Sequence, residues 1–213
     1  MKAKTARFLG WIVIHLSFIG RFIEARDCAF DAVLISRSLV AENRDSHTPN
    51  LAHCLASLGG QLSNLNRHEE SLGATQESIT LYRSLVDKNP ASYTPNLARQ
   101  LGNLGVQLSN LNRHEESLGA IQKSVSLYRS LVANNPASYN SNLAYVLHDL
   151  GQCLSHLNRL TESLEVTQES LLLYEALVIE NPALHSHNRN VVHRHLDECL
   201  LCLGRDTKLP DSA

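Results

Sequence analysis

At 213 residues, with 19 Lys and Arg against 21 Asp and Glu, the chain has a net charge of −2 and lacks the concentrated basic face that nucleic acid demands. Only 5% of residues are aromatic, and the apolar content is dominated by Leu, which favours helices because unbranched side chains lose little rotamer freedom there. Five cysteines (Cys28, Cys54, Cys153, Cys199, Cys202), odd in number and unevenly placed, exclude a regular disulfide framework and point to reduced thiols in a cytoplasmic protein. The absence of any Asn-x-Ser/Thr acceptor among the 17 asparagines agrees.

The chain opens with Lys2, Lys4 and Arg7, followed by an apolar run from Phe8 to Ile19 that is too short to span a bilayer. That outline fits a secretory signal within residues 1–25, which would make the protein secreted or membrane-associated. The competing reading is a helix over 4–19 paired with another over 22–43, a degenerate N-terminal hairpin occupying residues 1–47. In that hairpin Leu9, Ile12, Leu16 and Ile19 turn to the second helix, Ile14 and Phe18 fall on the groove side, and Trp11 and Val13 add apolar surface elsewhere. Such a terminal surface predicts self-association through this helix.

From Thr48 onward the organisation is a repeat. Residues 48–93 recur as 94–139 with 35 of 46 pairs identical, and 140–185 match the second copy at 23 positions. An apolar residue, then Gly or Asn, then Arg recurs every 46 residues, at Ile19-Gly20-Arg21, Leu65-Asn66-Arg67, Leu111-Asn112-Arg113, Leu157-Asn158-Arg159 and Leu203-Gly204-Arg205. Gly and Asn accept the left-handed conformation that closes a helix, so each landmark reads as the turn inside a hairpin. Leu97, Leu101, Leu104, Leu108 and Leu111 form one stripe of helical period, and Leu118, Ile121, Val125, Tyr128 and Val132 a second. Asn135-Pro136 stops the second helix, and Thr94-Pro95 reads as the start of the preceding unit, Thr as cap and Pro in the first turn. Helices are predicted over 48–65, 68–87, 94–111, 114–133, 140–157, 160–180 and 187–203. Three hairpins thus fill residues 48–185, a capping helix 186–205, and a disordered tail 206–213. No stretch has the alternation of a strand, so the fold class is an all-α, right-handed solenoid of helix–turn–helix repeats.

The run Leu101, Gly102, Asn103, Leu104, Gly105, then Leu108 and Asn112 through Ser117, resembles the tetratricopeptide repeat, most closely the long-repeat form of kinesin light chains. The unit is 46 residues instead of the usual 34. Ser71, Ser117 and Ser163 stand where the family carries a small Ala, and Leu62, Leu108 and Leu154 where it carries an aromatic residue. The resemblance implies that ligands bind in the groove lined by the first helix of each hairpin. By register that surface is His53, Ser57 and Asn64 in the first full copy, Arg99, Asn103 and Asn110 in the second, and Tyr145, His148, Asp149, Gln152 and His156 in the third. Ala56, Gly60, Ser63, Gly102, Val106, Ser109 and Ser155 lie between them. Small residues admit a ligand backbone, and Asn both donates and accepts. Some relatives grip a C-terminal carboxylate with Lys and Asn; here Ala56, Gly102 and His148 replace the Lys, so that ligand is not expected.

The functional expectation is therefore a protein–protein interaction scaffold that takes a partner peptide or helix, with no nucleic acid, membrane or cofactor. A regulatory repeat array belonging to a larger signalling protein is the alternative. His195, Cys199 and Cys202 share a helix face and have the look of a partial zinc site. They lack a fourth ligand, and Cys199 stands in register with Cys153, Gln107 and Gln61, which marks a packing position. His68-Glu69-Glu70 and His114-Glu115-Glu116 open helices, where carboxylates favour the helix dipole. The third copy has Leu160-Thr161-Glu162 there, and no phosphate-cradling loop or nucleophile elbow occurs, so no enzyme is expected.

Overall fold

The computed structural model describes residues 2–206, with side chains through residue 204. They form nine helices and no strands, an all-α solenoid of helix pairs, grouped into two compact units of residues 1–111 and 112–213. The first unit holds α1 (Lys2–Phe18), α2 (Phe22–Glu42), α3 (Arg44–Asn64), α4 (His68–Lys88) and α5 (Pro90–Asn110). The second holds α6 (His114–Asn134), α7 (Pro136–His156), α8 (Leu160–Glu180) and α9 (Pro182–Asp206). Within each unit every helix packs along the next. The expected tail lies outside the described residues from 207 on, and Asp206 itself closes α9.

The turns inside the hairpins follow the landmark. Asn66, Asn112 and Asn158 have φ of 56°, 59° and 57°, and Gly20 has 76°. Arg67 N–H donates to the Leu62 carbonyl and Asn66 N–H to the Ser63 carbonyl, both at 2.9 Å, which is the Schellman closure; the same pair recurs at Arg159 and Asn158. On the far side of each turn an Arg clamps the Glu three residues on, as in Arg67–Glu70 and Arg159–Glu162 at 2.6 Å.

Between hairpins the structure corrects the sequence reading. The first helices begin at residues 44, 90, 136 and 182, four or five residues before the expected starts, and Thr48 and Thr94 lie inside helices instead of capping them. The caps are Asn43, Asn89 and Asn135, whose side chains accept from the backbone N–H of Ser46, Ser92 and Ser138 at 3.2 Å, with Pro90 and Pro136 in the first helical position. Each of these Asn is also the C-cap of the preceding helix, so a single extended residue joins consecutive hairpins. Pro49 and Pro95 sit one turn further in; in α7 Ser141 takes that place.

Close approach of the paired helices explains the serines that replace the family's Ala. Ser71 and Ser163 donate to the carbonyls of Gly59 and Gly151 at 2.7 and 2.8 Å, and Ser78 and Ser170 to those of Ala52 and Ala144 at 2.8 and 2.7 Å. Each bond satisfies a buried hydroxyl with a helix carbonyl that is already paired once. A Cβ on Gly59 would stand 2.6 Å from Thr75 Oγ1, and one on Gly151 would meet Thr167 Oγ1. Ala6, Ala52, Ala98 and Ala144, 46 residues apart, are all 1% exposed or less.

The leucine stripe is buried at Leu97, Leu101 and Leu108, but Leu104 and Leu111 are only half-buried. In α1, Leu9 and Leu16 pack on the core as expected, while Val13 replaces Ile19 as a buried contributor: Val13 is 2% exposed and Ile19, beyond the helix end, 62%.

Candidate functional site

The first-helix surface is read separately in each unit. In the first unit α3 presents His53 and Asn64 to solvent with Ser57 half-buried, and α5 presents Arg99 and Asn110 with Asn103 half-buried. His53 is influenced by its neighbour across this surface: partial desolvation, then the Arg99 charge, lower its imidazole pKa. Behind them Gln107 donates to Thr75 Oγ1 at 3.0 Å, and Asn96 to the Tyr82 hydroxyl at 3.1 Å, fixing α5 on α4 from the buried side. The exposed face can therefore offer amides, an imidazole and a guanidinium without any of them being needed to hold the helices together.

In the second unit the structure divides the expected residues. Tyr145, Gln152 and His156 of α7 are exposed, whereas His148 and Asp149 are 8% and 7% exposed and belong to the interior. The cause is α9, which places the His195 ring edge-on against His148 at 5.3 Å. Burial lowers His148 to a pKa of about 4, with the His195 charge a smaller cause, and raises Asp149 to about 7. His148 Nδ1 and Asp149 Oδ2 have no hydrogen-bond partner. The Asp149 charge in turn raises the Tyr145 hydroxyl, ahead of desolvation.

Sequence reasoning did not foresee the polar cluster between α7, α8 and α9. His195 Nε2 lies 3.1 Å from Ser155 Oγ and its Nδ1 3.4 Å from Thr167 Oγ1, while Cys199 Sγ lies 3.4 Å from Ser163 Oγ. Ser155 and Ser163 hydroxyls meet at 2.8 Å. Ser155, His195 and Cys199 of this cluster line a cleft of about 510 Å³ together with Gln152, His156 and Glu198. The visible signal was the pairing of Ser163 and Thr167 with Gly151 at helical spacing, a set of small polar residues that only a close helix contact would use. Both His195 nitrogens are taken by hydroxyls and Cys202 is exposed; among the described residues no three His, Cys, Asp or Glu side chains converge as metal ligands. Nor is any described helix long and apolar enough to cross a membrane.

No family model and no curated protein sequence matches the chain. Solved structures do. A putative kinesin light chain from Podosopora anserina with nearly identical TPR-like repeats superposes with a TM-score of 0.68 at 13% identity, covering 95% of this chain and 88% of that one. The apo form of RapI gives 0.67 at 12% identity over 81% of this chain and 57% of its own, and aspartyl phosphate phosphatase F from Bacillus subtilis 0.69 at 11% over 97% and 51%. This chain thus spans little more than half the length of the latter two. With the hairpin geometry and the 46-residue register, these likenesses make the chain a helical repeat protein of tetratricopeptide-type fold.

Proposed function

We propose that the chain is a protein-interaction scaffold whose first-helix faces receive a short extended segment or a helix of a partner protein, and that it catalyses no reaction. The observation carrying this reading is where the first two copies differ. Between residues 48–64 and 94–110 the substitutions fall at 53/99, 54/100, 56/102, 57/103 and 60/106; 53/99 is exposed, 57/103 and 60/106 are half-buried, a half-buried Ala56 answers a buried Gly102, and 54/100 is buried in both copies. The leucines of both helices are unchanged. Hairpins that keep these leucines and diverge on the side of the first helix that carries His53 and Arg99 support a recognition role for that side.

The proposed contacts are His53, Ser57 and Asn64 on α3, Arg99, Asn103 and Asn110 on α5, and Tyr145, Gln152 and His156 on α7. His148 and Asp149 are left out because they are buried. The test changes Asn64, Asn110 and His156, one position per copy, to Ala together and compares partner capture with that of the intact chain. Capture is expected to be lost while helicity and melting temperature stay nearly constant, because exposed substitutions shift stability by no more than about 0.5 kcal/mol. Undiminished capture by the folded triple variant would overturn the reading.

A further inference from the structure

Among the described helices α1 exposes the most large apolar side chains. Lys4, Arg7, Phe8, Trp11, Ile14, His15 and Phe18 are all exposed, at 59% for Phe8, 54% for Trp11, 64% for Ile14 and 91% for Phe18. With about 100° of turn per residue, these seven fall within an arc of roughly 120° along the helix. Opposite them Ala6 and Val13 are buried, and Leu9 and Leu16 pack on the core. The Phe8 and Trp11 rings stack at 6.0 Å, and Trp11 meets the His15 ring at 3.9 Å, so the aromatic groups form one continuous ridge.

Charge separates this ridge from the remainder of the chain. Residues 1–23 contain Lys2, Lys4, Arg7 and Arg21 and no Asp or Glu. Four of the 19 cations and none of the 21 acids lie there, so residues 24–213 carry a net −6. Lys2 is held by Glu42 at 2.6 Å, which leaves Lys4 and Arg7 on the ridge itself with no ion pair among the described residues. Lys4 and Arg7 in the first two turns, followed on the same exposed arc by Phe8, Trp11, Ile14 and Phe18, let the long cationic side chains reach anionic headgroups while the apolar groups beyond them enter the acyl boundary. At 17 residues α1 is too short to cross a bilayer, and the cations on its outer face bar insertion end-on. A second copy docking through the same arc would bring Lys4 and Arg7 to a surface that again has cations and no carboxylate, with no charge partner on either side.

We propose that the outer face of α1 docks the N-terminal hairpin on an anionic membrane surface, with Lys4 and Arg7 at the headgroups and Phe8, Trp11, Ile14 and Phe18 in the acyl boundary. Arg7, Trp11 and Phe18 stand in register with His53, Ser57 and Asn64, and Arg7 and His53 line one cleft, so this face is the α1 counterpart of the first-helix faces proposed above. Vesicle binding is read with no partner protein present, so the two proposals fail separately.

Trp11 is the only tryptophan in the chain, so its fluorescence reports on this face alone. The experiment adds vesicles of phosphatidylcholine with phosphatidylserine, or of phosphatidylcholine alone, to the full chain and follows Trp11 emission and co-sedimentation. Docking gives a blue shift and quenching by brominated acyl chains with the serine-containing vesicles, both weakened by salt. The double variant Lys4→Gln and Arg7→Gln should bind roughly 25-fold more weakly, at about fivefold per cation near the surface, with unchanged helicity. Unshifted Trp11 emission with the serine-containing vesicles, or equal binding to both kinds, overturns the proposal. So does a blue shift that appears without lipid and grows with protein concentration, which assigns the ridge to a second copy of the chain.

Discussion

Replacing Asp149 by Asn, the residue at the same register in the second copy (Asn103), removes a buried charge and keeps the side chain's size. Asp149 is 7% exposed, its Oδ2 meets no donor, and burial raises its carboxyl from 3.8 to about 7. The folded-state value lies above the unfolded one, so the favourable condition is the protonated one. The carboxyl's contribution is fully present below pH 3.8 and is lost as pH rises through 7. Linkage puts the cost of keeping this group buried at about 2 kcal/mol at pH 5 and about 4 kcal/mol at pH 8. His148 acts in the opposite sense. Burial depresses its imidazole from 6.5 to about 4, so its penalty is felt at low pH and fades as pH rises through 6.5. The two slopes nearly cancel in the parent chain, and the variant is needed to expose the carboxyl. Stabilities of parent and Asp149→Asn, followed as melting temperatures by circular dichroism between about pH 5 and pH 8, should diverge by about 2–3 kcal/mol, or roughly 5–10 °C for a chain of this size. The variant should be the more stable at the alkaline end. A difference between the two proteins that stays constant across that range would refute the assignment of a buried, unpartnered carboxyl.

Two further outcomes test the packing. Gly59→Ala should destabilise the first unit by about 1–2 kcal/mol in denaturant unfolding, because the gain in helix propensity is outweighed when the new methyl displaces Thr75 and its bond from Gln107; adding Thr75→Ala should recover most of the loss, and additive effects would contradict the clash. Leu147, fully buried in α7, should cost about 2–5 kcal/mol as Leu147→Ala, and a melting temperature within a degree or two of the parent would mean that the buried face has been misassigned.

The hairpin turns were legible in the sequence because Asn66, Asn112, Asn158 and Gly20 answer a backbone demand that few residues meet. The starts of the first helices were not. Asn89-Pro90 and Thr94-Pro95 both have the chemistry of a cap followed by a first-turn proline, and Asn-Pro also has the chemistry of a stop. The stop reading excluded the cap reading, although Asn89 performs both. The stripe identified Leu97, Leu101 and Leu108 as core but overstated Leu104, since periodicity gives a direction and burial depends on what stands in that direction. The same limit separates Asn103 from Asp149. They share a register, yet Asn103 is half-buried while Asp149 is buried beside His148, against which α9 sets the His195 ring.

The one-residue joint has a consequence for how such a chain can change length. Helices α3 to α8 are each 21 residues long, separated alternately by a three-residue turn and a single Asn, and these lengths account for the whole 46-residue period. With no slack at the joint, one residue inserted into a helix would turn everything after it by about 100° and shift it by about 1.5 Å, carrying Leu and Ala off the core and cations onto it. A deletion would do the same in reverse. The shortest insertion that restores every later contact is an entire period, placed at any point within it. Length variants of this protein that fold should therefore differ by whole 46-residue blocks.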